Sequence, residues 1–547
     1  MSILYLLLVV YTDSVVAHPS PCLLIGNARH IEPNSGSKSA RDLTRSWLNS
    51  CIENHNNCPL ERSTLPKRVL EIEKQLSGFV VRLRDGQGQA DFYITLSHCW
   101  GSSNGAGPLK TTHTNINRRR FQIPWHELSK TFQDAITMTW KLGVRYIWID
   151  SLCIIQDDAQ DWQEQSSEMA TIYEKAFLTI AATHASSGEE GCFSQKAVAK
   201  EVSKGVFARD GFHHYPWDSK NPYHHCFNAP QSDPLFTRAW CLQERLLSTR
   251  VLHYGSNEMV WECNDAVNCE CGDLPVQDGA FQKINFYQAS KQSANMNVWR
   301  DLVESYTAAN LTREDDILPA LSGIASKFQT LGAGRYLAGL WEKDLIRNLL
   351  WFSDGSSGRR KPTTYKAPSF SWASRIGKVS FFNSTASRLD SSRLVTILEG
   401  DCKVEGRNPL GTISYGYITI RGTLIPGKLA THEHHILYLY RDPQQFLQRL
   451  PEIREAFGAP FSEASALNRA GRARLDITHD ERQLVYTDDE AYCLPVLMSS
   501  VAHGSAYSLI LHKRADGIYE RIGASDILNF TANWQHIGLP EEDIIIE

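Results

Sequence analysis

The sequence predicts an α/β protein: a parallel sheet flanked by helices, followed by a helical segment and a β-rich C-terminal domain. Three observations carry this. Residues 91–183 alternate apolar runs of strand length with stretches of helical period, the pattern of a parallel sheet with right-handed crossovers. Residues 298–352 keep a helical spacing, with Trp299, Leu302, Val303 and Tyr306 on one face. From residue 395 onward, short β-branched and aromatic runs alternate with turns.

At 547 residues the chain exceeds what one hydrophobic core supports, and roughly two to four domains are expected. Apolar residues at 42% and charged residues at 21% exclude a disordered or fibrous chain. A net charge of -5 gives no electrostatic reason to expect nucleic acid as a partner, and the arginine run 118–120 reads as a solvated loop face. Thirteen cysteines, an odd number, do not suit a secreted disulfide scaffold. Cys99, Cys153 and Cys241 sit inside apolar runs, where free cysteine behaves as a small hydrophobe. A reducing, cytoplasmic location is expected.

The N-terminus points elsewhere. Residues 3–11 are an apolar run followed by Val15, Val16 and Ala17, which suit a signal-peptidase site. No Lys or Arg precedes the run. Residues 1–17 therefore read either as a signal peptide, with entry to the secretory pathway, or as a buried strand or a misplaced start. No segment is long enough for a transmembrane span.

In chain order, residues 18–90 form a preface. Within it, 41–58 has helical spacing with Leu43, Trp47, Leu48 and Cys51 on one stripe, 65–72 reads as an edge strand and 79–83 as its hairpin partner. The α/β domain spans 91–265, with its core at 91–250. Strands are expected at 93–97, 146–150 and 178–182. A helix ending at Gly143 carries Phe132, Ile136 and Trp140, and one capped by Asp157 or Asp158 carries Trp162, Met169, Ile172 and Tyr173. Residues 184–234, rich in Gly, Ser, His and Pro, form an insertion. Residues 238–247 return to helix, and 251–254 with 259–263 read as a terminal hairpin. Residues 266–380 are mainly helical, including amphipathic stretches at 319–328 and 337–351. Residues 381–547 form the β-rich domain, with a polar helical excursion near 443–470.

Three sets of residues can carry chemistry. The strand at 93–97 runs into Ser97, His98 and Cys99 at its carboxyl end, where ligands of parallel sheets bind. His98 and Cys99 are adjacent on an extended chain, so their side chains point oppositely and do not form a nucleophile pair. The second set is metal-like. Cys51, His55 and Cys58 follow a C-x3-H-x2-C spacing that places three soft ligands on one helix face, and Cys263, Cys269 and Cys271 form another cluster. Neither reaches the four ligands zinc needs. The first set reads as packing and capping groups, no metal is assigned, and a zinc joining the two clusters is a hypothesis for metal analysis. The third set is Trp240 and Glu244, four apart on one helical face. Glu244 can stabilise the positive charge that develops on a ribose as a glycosidic bond breaks; alternatively it pairs with Arg238, Arg245 or Arg250. There is no Walker loop and no GxGxxG.

Taken together, YITLSHCWG at 93–101, YIWIDSLCIIQDD at 146–158 and RAWCLQERLLS at 238–248 resemble the signature blocks of the fungal heterokaryon-incompatibility (HET) domain. IYEKAFLTIAAT at 172–183 also fits, and the resemblance covers residues 91–250. It implies a role in non-self recognition and regulated cell death, a form of fungal innate immunity. The HET domain is in turn similar to TIR domains, which implies a TIR-like, flavodoxin-like sheet. Some TIR domains cleave NAD and carry a W-C-x-x-E pattern on the catalytic helix, which residues 240–244 resemble.

The resemblance thus implies Glu244 as the catalytic residue, with Ser97, Asp150 and Trp240 as substrate-binding candidates. No cofactor is implied, and NAD would be the substrate. The partner would be an unidentified protein or the product of an incompatible allele, with self-association. The alternative is a non-catalytic signalling module that acts through protein assembly.

Overall fold

The alternating apolar and amphipathic stretches form, in the computed structural model, an eight-stranded sheet within the unit Met1–Lys291; a second unit spans Gln292–Glu547. The structure describes residues 6–13, 26–86, 88–101, 107–196, 199–203, 206–212, 233–272, 282–353, 360–382, 393–430, 436–439, 469–475, 490–498, 506–527 and 539–547.

Helix α1 (Lys38–Asn54) starts where Ser37 Oγ accepts the Ala40 N–H, a capping arrangement that satisfies an orphan donor. It buries Ala40, Thr44, Trp47, Leu48 and Cys51 at helical spacing. Strands β1 (Arg68–Gln75) and β2 (Gly78–Asp85) form a tight hairpin. Strand β3 (Tyr93–Ser97) is buried at every position, as a strand covered on both faces must be. Helix α2 (Lys130–Lys141) begins at a Ser129 cap and leads to strand β4 (Tyr146–Trp148). Helix α3 (Ala159–Glu174), capped by Asp158, leads to strand β5 (Leu178–Ala181). Helix α4 (Ala239–Leu247) precedes strands β6 (Arg250–Tyr254), β7 (Met259–Cys263) and β8 (Val267–Cys269).

The sheet order is β8-β7-β6-β5-β3-β4-β1-β2. Strands β6, β5, β3 and β4 are mutually parallel. Counted by appearance along the chain, these four stand in the order second, first, third, fourth, which is the flavodoxin-like arrangement. The sheet as a whole is mixed, because an antiparallel hairpin closes each side: β1–β2 through β4, and β7–β8 through β6. The hairpin expected in the preface is therefore part of this sheet. Leu70 pairs with Ile147, so the apolar residues of β1 continue the core of the parallel strands. The chain reverses its direction of winding between β3 and β5, and ligands of open α/β sheets bind beyond the carboxyl ends of the strands at such a switch point.

In the apolar N-terminal run, Leu6–Asp13 is a strand, antiparallel to Val206–Phe212 and parallel to Gly26–Ala28. Residues 1–5 and 14–17 of the N-terminal segment, and 197–198, 204–205 and 213–232 of the expected insertion, lie outside the described residues. Among the described residues, no helix is long and apolar enough to cross a membrane.

In the second unit, the helix Met296–Thr307 buries Trp299, Leu302, Val303 and Tyr306, as their spacing predicts. Residues 337–351 depart from the expected amphipathic stretch. Tyr336–Leu337 pairs with Leu340–Trp341, and a single turn, Leu345–Asn348, then leads to the strand Trp351–Ser353. The reason is a tight turn through Gly339, at φ 97°, whose carbonyl accepts the indole N–H of both Trp299 and Trp372 at 3.1 and 3.0 Å. A Cβ there would fall 2.6 Å from Trp372 Nε1. Two buried indoles hold the backbone against the helical period. The C-terminal strands form a nine-stranded, mostly antiparallel sheet. The helical excursion near 443–470 lies outside the described residues, except at its end, where Arg469–Leu475 is a strand.

Candidate functional site

Alternation along β3 decides which group faces which helix. Ser97 points to α4, where its hydroxyl hydrogen-bonds Glu244 Oε2 and lies 3.7 Å from Cys241 Sγ. His98 points the other way, its ring set edge-on to Phe132 of α2 at 5.1 Å. Cys99 returns to the α4 side, in a small apolar cluster with Ala181, Leu235, Cys241 and Val251. His98 and Cys99 are thus apart. Burial lowers the His98 pKa, which keeps the imidazole neutral, and pushes the Cys99 thiol up to about 11, so Cys99 is not poised as a thiolate nucleophile at neutral pH.

Glu244 is held at the switch point by a line of buried hydroxyls. Thr95 Oγ1 on β3 and Thr179 Oγ1 on β5 are 2.6 Å apart, Thr179 Oγ1 is 2.6 Å from Ser248 Oγ, and Ser248 donates to the Glu244 carbonyl at 2.6 Å. Such a fully satisfied network ties the end of α4 to the strands beneath it. Tyr173, fully buried on α3, donates to the Leu96 carbonyl at 3.2 Å.

The electrostatics of this carboxyl are unusual. Glu244 is 5% exposed. Burial raises its pKa and Asp150 adds to the rise; Arg238 and the hydrogen bond from Ser97 oppose it, and the outcome is a carboxyl pushed up to about 7. A carboxyl poised there exchanges protons at physiological pH. None of the three arginines near it in sequence makes an ion pair with it among the described residues. Arg245 binds Glu262, Arg250 binds Cys51 Sγ and backbone carbonyls, and Arg238 donates to the His98 carbonyl. Arg238 precedes α4 rather than lying on it, so its charge reaches Glu244 despite the six-residue separation.

Asp150 opens a single helical turn, Asp150–Cys153, after β4. Its carboxylate accepts the Trp100 indole N–H at 2.9 Å and the Ser151 N–H at 2.6 Å, and lies 3.9 Å from His98 Nε2. Trp240 is half-buried and packed against the main core. The structure therefore joins Ser97 and Glu244 directly and brings Asp150 into electrostatic range. Tyr173 was missed in the sequence because its helical spacing reads as core alone.

Residues 93–244 match the family described as heterokaryon incompatibility protein (HET). The chain carries a HET domain. The match opens on the first residue of β3 and closes on Glu244, so the HET domain as a family unit contains both partners of the Ser97–Glu244 hydrogen bond. The match supports a heterokaryon-incompatibility-type protein. No curated protein and no solved structure matches the chain.

Removing the Ser97 hydroxyl tests the electrostatic account of the HET domain site. Ser97 favours ionised Glu244, so Ser97→Ala should move the carboxyl pKa further above about 7. Infrared difference titration should then show the protonated-carboxyl stretch persisting to higher pH than in the parent chain. An unchanged titration would detach Ser97 from Glu244.

Proposed function

We propose that the HET domain acts in non-self recognition and regulated cell death as a TIR-like effector, cleaving NAD at the nicotinamide–ribose bond. The observation that carries this reading is the buried Glu244 carboxyl, titrating at about 7 and seated against Ser97 at the switch point of the parallel strands. Ionised Glu244 faces the cation that develops on the ribose. The C1′–N bond breaks with its electron pair passing to the pyridinium nitrogen, and nicotinamide leaves neutral. Water adds at C1′ and gives its proton to Glu244. The positive nicotinamide ring itself favours the ionised carboxyl on binding, because opposite charges at short range lower a carboxyl pKa. Asp150 and Trp240 complete the pocket, NAD is a substrate rather than a resident cofactor, and the product of an incompatible allele is the trigger.

One observation favours a second reading. At 5% exposure, Glu244 serves a closed domain equally well as a buried structural group, and toxicity would then come from assembly with a partner or with further copies. Incubating the purified chain with NAD, both dilute and oligomerised, separates the two. Nicotinamide release is expected under the first reading, and its absence in both states supports the second.

A further inference from the structure

Helix α1 ends in a turn that folds the chain back on itself. The His55 N–H donates to the Cys51 carbonyl at 3.2 Å, and the Cys58 N–H to the His55 carbonyl at 3.3 Å. The three soft donors do not share one helix face as their spacing predicts: Cys51 lies in the helix, His55 caps it and Cys58 follows the turn. They converge nonetheless, and the end of β7 brings Cys263 to them. Three Sγ atoms and a His55 ring nitrogen lie within 4.8 Å of one another, with the cysteines buried and His55 half-buried. His55 Nδ1 is 3.2 Å from Cys263 Sγ. With Zn–S near ~2.3 Å and Zn–N near ~2.1 Å, tetrahedral donors stand about 3.5–3.8 Å apart. A contraction of about 1 Å at most in the wider separations, with His55 Nδ1 and Cys263 Sγ moving apart by about 0.4 Å, closes the set.

A second observation is independent of the donors. Arg250 is 1% exposed, and its guanidinium donates to Cys51 Sγ at 3.3 Å and to the carbonyls of Cys58, Pro59 and Phe177 at 2.6, 3.0 and 3.3 Å. Among the described residues it forms no ion pair with a carboxylate. A buried cation without a counter-charge is costly. Zinc held by three thiolates and a neutral imidazole carries one net negative charge, placed where this guanidinium points.

We propose that Cys51, His55, Cys58 and Cys263 bind one structural zinc ion that joins α1 to the end of β7. Four protein donors leave no open position, which marks a structural site rather than a catalytic one. Binding displaces a proton from each of the three thiols, and His55 binds neutral. The two cysteine clusters of the sequence divide differently in space: Cys263 joins the α1 set, and Cys269 and Cys271 stand with Glu258.

Elemental analysis of the whole chain, untagged and purified without chelator, should find one zinc per chain. Cobalt(II) exchanged into the site should show thiolate-to-cobalt charge transfer with the d–d bands of tetrahedral coordination. Cys263→Ser, which leaves α1 untouched, should lower bound zinc to below ~0.1 per chain. His55→Cys keeps four soft donors, and should retain zinc while shifting the cobalt spectrum toward four thiolates. The wild-type measurement decides the matter whether or not the variants fold. Folded wild-type chain holding less than ~0.1 zinc and taking up no cobalt overturns the proposal. So does a disulfide between any two of Cys51, Cys58 and Cys263 in mass spectrometry, or full zinc retention in Cys263→Ser.

Discussion

Glu244→Gln should lower nicotinamide release by at least about a hundredfold while making the protein more stable at neutral pH. Both effects come from the same burial. The amide keeps the shape of the protonated carboxyl and its contact with Ser97, but offers no charge to a developing ribosyl cation and no site for the proton of water. The stability effect has a definite sign. Burial raises the Glu244 pKa from 4.5 to about 7, so between these values the native state holds a proton that the unfolded chain has lost. Stability from this group is then full below the unfolded value and falls as pH rises to about 7, by about 3 kcal/mol in all. Denaturant melts of the two proteins at about pH 5 and about pH 8 should therefore diverge in favour of Glu244→Gln at the higher pH. Lost activity with no pH-dependent gain would mean that the variant has disturbed the fold rather than the charge. Unchanged activity would remove Glu244 from catalysis.

The other large effect lies behind Glu244. Its neighbour Arg245 makes two parallel 2.7 Å bonds to Glu262 on β7, and Glu262 is fully buried and also bonded to His253 Nε2 at 2.9 Å. Burial alone would raise the Glu262 pKa, but Arg245 and the His253 hydrogen bond hold it well below the ordinary carboxylate range. Burial also lowers the His253 pKa, so the working pair is Arg245 and Glu262, with a neutral imidazole completing the hydrogen bonds. Glu262→Ala strands the guanidinium, and should cost about 3–5 kcal/mol. It should also release α4 from β7, so that reactivity at Glu244 declines together with stability. Because the folded pKa is depressed, the pair's contribution is present above about 4.5 and lost only as acid protonates Glu262. Equilibrium unfolding of the variant measures the loss; a cost under about 1 kcal/mol would show that water reaches the pair.

The elements legible in the sequence are those whose stabilisation is local or periodic. The run 93–97 reads as a strand because each of its residues is buried, and a strand covered on both faces has no polar alternation to hide it. Ser129 and Asp158 announce α2 and α3 because capping is a matter of three or four consecutive residues. The helical period failed at 337–351, where the Gly339 carbonyl serves two indoles, and the mixed character of the sheet was not visible because pairing partners are chosen by faces and edges, not by neighbours.

The same division holds for the sites. The sequence by itself determined the residue types: a carboxylate on the W-C-x-x-E helix, a hydroxyl at the end of β3, and two thiols and an imidazole at the end of α1. Only the tertiary structure decided what those groups are. Glu244 titrates at about 7 because the fold buries it against Ser97, 147 positions earlier in the chain. The α1 donors reach four only because β7 delivers Cys263, 208 positions after His55. Dielectric, proximity and register belong to the packed chain, and a pKa or a coordination shell exists only once these are set.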